Sequence, residues 1–171
     1  MDVDKQIAYY EHKCELNPDS RAFAPLADLY RRAGRFDDAF RVLEAGLAAH
    51  PRYISALVIL GRCHLETGDR PQARAVFQQV LEIDPDNLVV LKLMAEDAAR
   101  QEDWNEATGL LERVVLLDPS DAPAEAELEV FRARREGQGR PLSRAQGPVP
   151  LDETETPLDM DVNVEPPRLR H

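Results

Sequence analysis

Cysteine is scarce in this chain: Cys14 and Cys63 are the two in 171 residues, far apart and outside any CxxC spacing. Neither a disulfide framework nor a zinc knuckle is indicated. Apolar runs of membrane-spanning length are missing as well. The start Met1-Asp2-Val3-Asp4-Lys5 lacks the basic residues and the roughly 7–15 apolar residues of a secretory leader. The expectation is a chain in a reducing, cytoplasmic setting, without membrane insertion. Basic runs are missing too. With 32 acids against 21 Lys and Arg, the net charge of −11 leaves nothing to neutralise a phosphate backbone, which excludes nucleic acid as a partner.

Catalytic signatures are equally hard to find. The chain has no G-x-S-x-G elbow, no phosphate-cradling glycine loop and no Ser/His/Asp spacing. Its carboxylates are scattered, and an acid pair would need a closed, dry cleft to drive two pKa values apart. Of the four histidines, His12 lies two residues from Cys14 and His64 is adjacent to Cys63, so on a helix the members of each pair face different ways. His64 is expected to be a packed imidazole and Cys63 a small buried hydrophobe. No metal, no cofactor and no enzymatic activity are expected.

What is present is a repeat. Pro51, Pro85 and Pro119 recur at intervals of 34, with Pro18 33 residues before the first. When 20–53, 54–87 and 88–121 are superposed, Phe23, Leu57 and Leu91 share a column, as do Leu26, Leu60 and Met94. Small residues align at Ala27, Gly61 and Ala95 and again at Ala39, Ala73 and Ala107, and bulky ones at Leu43, Phe77 and Leu111. Within each unit the apolar residues fall at helical spacing in two stripes, such as Phe23, Leu26, Ala27 and Tyr30, then Ala73, Val76, Phe77 and Val80. Gly34 and Thr67-Gly68-Asp69 mark the turns between stripes, while the closing proline stops the second helix.

These columns resemble the tetratricopeptide repeat family, whose unit reads W-x₂-L-G-x₂-Y, A-x₃-F and P. Here they are Phe23-x₂-Leu26-Ala27-x₂-Tyr30, Ala39-x₃-Leu43 and Pro51, then Leu57-x₂-Leu60-Gly61-x₂-His64, Ala73-x₃-Phe77 and Pro85. The third copy, Leu91-x₂-Met94-Ala95-x₂-Ala98, Ala107-x₃-Leu111 and Pro119, has no aromatic and carries Glu102 where the turn glycine belongs. The resemblance implies an all-α fold, a right-handed superhelical solenoid of helix-turn-helix repeats. Flanking residues add capping helices. Ile7, Tyr10 and Cys14 share a face over 3–16, and Ala124, Leu128 and Phe131 share one from Ala122 to Glu136. The expected organisation is an N-terminal cap at 1–19, repeats at 20–53, 54–87 and 88–121, a C-terminal cap at 122–136, and eight helices in all. Beyond lies a disordered, acidic and proline-rich tail at 137–171, with six acids and no base from Asp152 to Glu165.

A stacked solenoid exposes the first helix of every unit on a concave surface, and its function is expected to be binding. The inward candidates are Arg21, Ala24, Asp28 and Arg31, then Ser55, Val58, Ile59 and Arg62, then Val89, Lys92, Leu93 and Glu96. A solvated helix face would carry similar residues. Mixed aliphatics and cations suit a peptide or helix segment of another protein, an acidic one included, with the chain as adaptor or scaffold. The alternatives are an assembly or secretion chaperone holding a client segment and, further off, a regulatory subunit of an enzyme. The acidic tail is a candidate internal competitor for the same surface. Some family members clamp the terminal carboxylate of heat-shock chaperones with Lys, Asn and Arg. This chain has Ala24, Asp28, Ile59, Val89 and Leu93 at those places, so that clamp is absent.

Overall fold

Two helix breaks per 34 residues decide the architecture, one at a positive-φ turn and one at a proline. The computed structural model describes residues 2–18 and 20–139. Among them are eight helices and no strand: α1 (Val3–Leu16), α2 (Phe23–Arg32), α3 (Phe36–Ala49), α4 (Ile54–Glu66), α5 (Arg70–Ile83), α6 (Leu88–Arg100), α7 (Trp104–Leu117) and α8 (Ala122–Gly139). None is long and apolar enough to cross a membrane. The tail expected at 137–171 lies, from residue 140 onward, outside the described residues. Its first three positions instead complete α8, so the glycine at 137 lowers helix propensity without ending the helix. Gln138 Nε2 donates to the Glu102 carbonyl at 3.1 Å, which ties this last turn down.

The helices pack in antiparallel pairs, α2 on α3, α4 on α5 and α6 on α7, with α1 against α2 and α8 against α7. Each pair turns through the same hydrogen bonds, repeated every 34 residues. Arg35 N donates to Tyr30 O, Asp69 N to His64 O, and Asp103 N to Ala98 O, at 2.8, 2.8 and 3.0 Å. The turn requires left-handed backbone, which Gly34 and Gly68 adopt at φ 73° and 85° without a Cβ penalty. Glu102 adopts it at φ 59°, against its own sterics. Second helices start on a cap where an acid precedes them, as Asp69 accepts from Gln72 N and Asp103 from Glu106 N.

Burial follows the columns. Phe77, Leu43, Leu91 and Leu111 are among the largest fully buried side chains, each stabilising by about 1.5–3 kcal/mol. The small residues facing them are what permit this. A Cβ on Gly61 would stand 2.2 Å from the Phe77 ring, and one on Gly46 the same distance from Phe23. The Leu26 column is buried in the first unit, whereas Leu60 and Met94 are half-buried against neighbouring clusters. His64 packs beside Phe40, ring centroids 4.8 Å apart, and Cys63 is fully buried, its thiol pushed up to about 11 by that burial. In α1, Ile7 is buried, with Tyr10 and Cys14 packed beside the same cluster.

The turn at Glu102 and the hydroxyl of Tyr30 each lead to a measurable outcome. Left-handed backbone costs a non-glycine residue about 1–2 kcal/mol, and glycine returns part of that gain as chain entropy. Glu102→Gly should therefore stabilise the protein by about 0.5–1 kcal/mol, read as a higher urea midpoint with unchanged slope. An unchanged or lower midpoint would contradict it. The Tyr30 hydroxyl donates to Glu11 and links α2 to α1. Burial, then this hydrogen bond, pushes its pKa up to about 12 from 10.0. Because the folded state keeps a proton that the unfolded state releases above pH 10, the stability is present below that pH and drains away toward pH 12. Tyr30→Phe should melt lower than wild type at pH 8, and the difference should shrink between pH 10 and 12.

Candidate functional site

First helices meet side by side at α2 and α4, while α4 and α6 have no comparable contact. The space beside them is an open cleft of about 490 Å³, lined from α2 by Ala24, Pro25 and Asp28 and at the start of α6 by Val89 and the preceding Asn87. Between them stand Tyr53 and the α4 residues Ile54, Ser55, Val58, Ile59 and Arg62. The lining is mostly aliphatic with two charges. Asp28 is neutralised in place: Arg31 donates to it from Nε and Nη2 at 3.0 and 2.8 Å, and Arg32 Nη2 lies 2.7 Å away. Arg62 is different. Its Nε is buried without a hydrogen-bond partner, and it forms no ion pair with any described residue.

Of the twelve residues expected on this surface, seven line the cleft: Ala24, Asp28, Ser55, Val58, Ile59, Arg62 and Val89. Ala24 is only 1% exposed and serves as floor, since its small side chain lies under neighbours rather than toward a ligand. Val89 is 47% exposed. Arg21 lies in an adjoining hollow, its guanidinium 5.1 Å from the Tyr53 ring centre. Arg31 is a structural residue, 12% exposed and bridging Asp28 on its own helix to Glu66 on α4. Lys92 is engaged by Asp121 ahead of α8, so of the two cations expected on this surface from α4 and α6 only Arg62 lacks an ion pair with a described residue. Leu93 packs against the middle core cluster, and Glu96 is exposed, 3.8 Å from Arg100.

Sequence reasoning missed Pro25, Tyr53, Ile54 and Asn87. A signal was there in the repeat. Tyr53, Asn87 and Asp121 occupy one column, the position just before a first helix. Asn87 and Asp121 cap those helices, accepting from Val90 N and Ala124 N at 3.1 Å each. Tyr53 makes no such cap, which makes it the odd member of its column.

A tetratricopeptide repeat family model matches residues 30–96. The cellulose synthase 2 operon protein C of Komagataeibacter xylinus is 31% identical over 114 residues, 67% of this chain and 9% of that protein. The chain thus spans less than a tenth of the length of this curated relative. The crystal structure of TTC0263, a thermophilic tetratricopeptide protein of Thermus thermophilus, superposes with a TM-score of 0.69 at 18% identity, covering 77% of this chain and 73% of that one. The first tetratricopeptide domain of Spaghetti (RPAP3), bound to the HSP90 peptide SRMEEVD, gives 0.61 at 15% identity, covering 72% and 95%. With the 34-residue period and the paired helices, the family match places the chain in the tetratricopeptide repeat family, and the solved structures share its fold. Its members generally mediate protein–protein interaction, and the fold is typically a non-catalytic module.

The reassignment of Arg31 from ligand to scaffold is testable. Arg31→Met keeps the aliphatic stem but leaves Asp28, 19% exposed, without its main partner. The loss should be about 1–2 kcal/mol by urea denaturation, below that of a fully buried pair because Glu66 is 40% exposed. A neutral effect would return Arg31 to the pool of free surface cations.

Proposed function

We propose that the chain is a non-catalytic adaptor that holds a short segment of a partner protein in the cleft between α2, α4 and the start of α6. The observation that carries this is Arg62: a guanidinium whose Nε is buried and unpaired, set among Val58, Ile59 and Val89. A buried donor left without an acceptor costs about 1–3 kcal/mol. A carboxylate arriving with the partner meets the terminal N–H groups of the guanidinium, since Nε itself has no exposed surface, and forms a charge-assisted bond in a partly dry setting. The aliphatic walls accept a side chain of the same segment, supplying area, while Arg62 supplies register.

The Spaghetti neighbour holds an HSP90 peptide. The clamp positions implied by the family resemblance are occupied here by Ala24, Asp28, Ile59, Val89 and Leu93. Two of these are aliphatics lining the cleft wall, one is its floor, and Asp28, already paired with Arg31 and Arg32, has no donor to offer a carboxylate. The favoured ligand is therefore an internal acidic–aliphatic segment rather than a clamped chain terminus.

Selection from a random phage-displayed peptide library on the full chain tests this. Enriched peptides should pair Asp or Glu with a neighbouring aliphatic residue. Arg62→Glu should weaken them by about 10- to 100-fold, equivalent to about 1.5–3 kcal/mol, with helicity unchanged. Enriched peptides that bind Arg62→Glu as tightly as wild type would move the binding surface elsewhere.

A further inference from the structure

The cleft continues past Tyr53. A second hollow, around the Pro51 turn between α3 and α4, shares Tyr53, Ile54 and Ser55 with it, and a third, beside the end of α1, shares Arg21 with the second. The three hollows form one path. Lys13, Arg21, Arg52 and Arg62 stand along it, and none forms an ion pair with a described residue. Most other bases among the described residues do have a carboxylate partner. In a chain of net charge −11, unpaired cations gathered on one path with no free acid are the reverse of what mutual neutralisation produces. Asp28, the acid among the described residues lining it, is already held by Arg31 and Arg32.

Tyr53 stands at the join. Its column supplies helix caps elsewhere, so an aromatic here gives up a capping bond worth about 1 kcal/mol. In exchange its ring packs edge-on to Phe23, centroids 5.7 Å apart, and carries the Arg21 guanidinium over its face. That contact orients a cation without neutralising it.

We propose that this path extends the cleft to select an acidic, extended segment of a partner protein, its carboxylates meeting Arg21 and Arg52 while an aliphatic side chain enters beside Val58. The proposal rests on the cleft being a peptide site. Its own content is the charge specificity conferred by the outer hollows, where a complementary potential governs both encounter and discrimination.

The test is fluorescence anisotropy with three labelled probes: a peptide repeating Glu-Glu-Leu, the same peptide with Gln for Glu, and an oligothymidylate of equal length. At low salt the Glu peptide should bind at least about tenfold tighter than the Gln peptide, and salt should erase the difference. Arg21→Glu with Arg52→Glu, both at exposed positions, should bring the Glu peptide down to the level of the Gln peptide. Arg21→Gln with Arg52→Gln should fall between. Circular dichroism and melting temperature control for folding. Equal affinity for the two peptides, or no effect of the double reversal, overturns the proposal. If Arg62→Glu weakens both peptides while the double reversal does nothing, the cleft survives and its extension does not. Tighter binding of oligothymidylate than of the Glu peptide would make the path a nucleic-acid surface and also overturn it.

Discussion

Close approach of paired helices is the constraint on which the rest depends, and it is set where a ring lies on a residue with no side chain. Phe77 sits on Gly61 and Phe23 on Gly46, at separations that leave no room for a Cβ. An amphipathic helix of ten to fourteen residues is marginal in water by itself. Interlocking with its partner turns two marginal helices into one unit. Each unit then still has an apolar flank, which the next unit covers, so burial is shared across neighbours rather than centred on one nucleus. The short turns follow from this constraint: antiparallel helices held so near must reverse within a few residues, which forces left-handed backbone at 34, 68 and 102.

Charge is laid over that framework in two ways. Many basic residues reach across a helix boundary to an acid: Arg31 to Glu66, Arg70 to Asp97, Arg74 to Glu106, Lys92 to Asp121 and Arg132 to Glu112. Where both partners are substantially exposed, as in Arg132 with Glu112, such a pair contributes little stability. Their larger effect is on orientation, because every bridge joins separate helices and so favours one register of the stack. Acids are also used at helix starts, where Asp69, Asp103 and Asp121 satisfy backbone N–H groups. Among the cations left over once pairs and caps are assigned, Lys13, Arg21, Arg52 and Arg62 lie on the path from α1 to the α2–α4–α6 cleft.

The columns made the helices, their pairing and much of the core legible, since burial at 3.6-residue spacing leaves a record in residue size. Glu102 was visible as a missing glycine, and the backbone there confirms that the turn outweighs the residue's preference. The candidate site was legible only in part. Val58, Ile59 and Arg62 sit where a first-helix face should present them, because that face depends on local geometry. The fates of Arg31 and Lys92 depended on acids 35 and 29 residues away. Periodicity predicts that such residues point outward but is silent on which distant acid meets them. Tyr53 was hidden for another reason: it lies on a unit boundary, where superposition treats residues as linkers, although its departure from the capping column was readable in principle.

The first and last described helices differ in what they leave exposed. Along α8 the inward stripe of Ala124, Leu128 and Phe131 is buried against the preceding pair. Glu125 and Glu129 are exposed on the same helix, and Arg132 joins Glu129 to Glu112 on α7. On the other side, α1 leaves Tyr9 and Leu16 largely exposed, with Lys13 over the Tyr9 ring and a hollow running from Tyr10 to Arg21. This apolar surface lies beside Lys13 and Arg21, and no acid among the described residues lines the hollow between them. The proposed binding path, from α1 through Tyr53 to Arg62, is where the framework leaves apolar area and unpaired charge side by side.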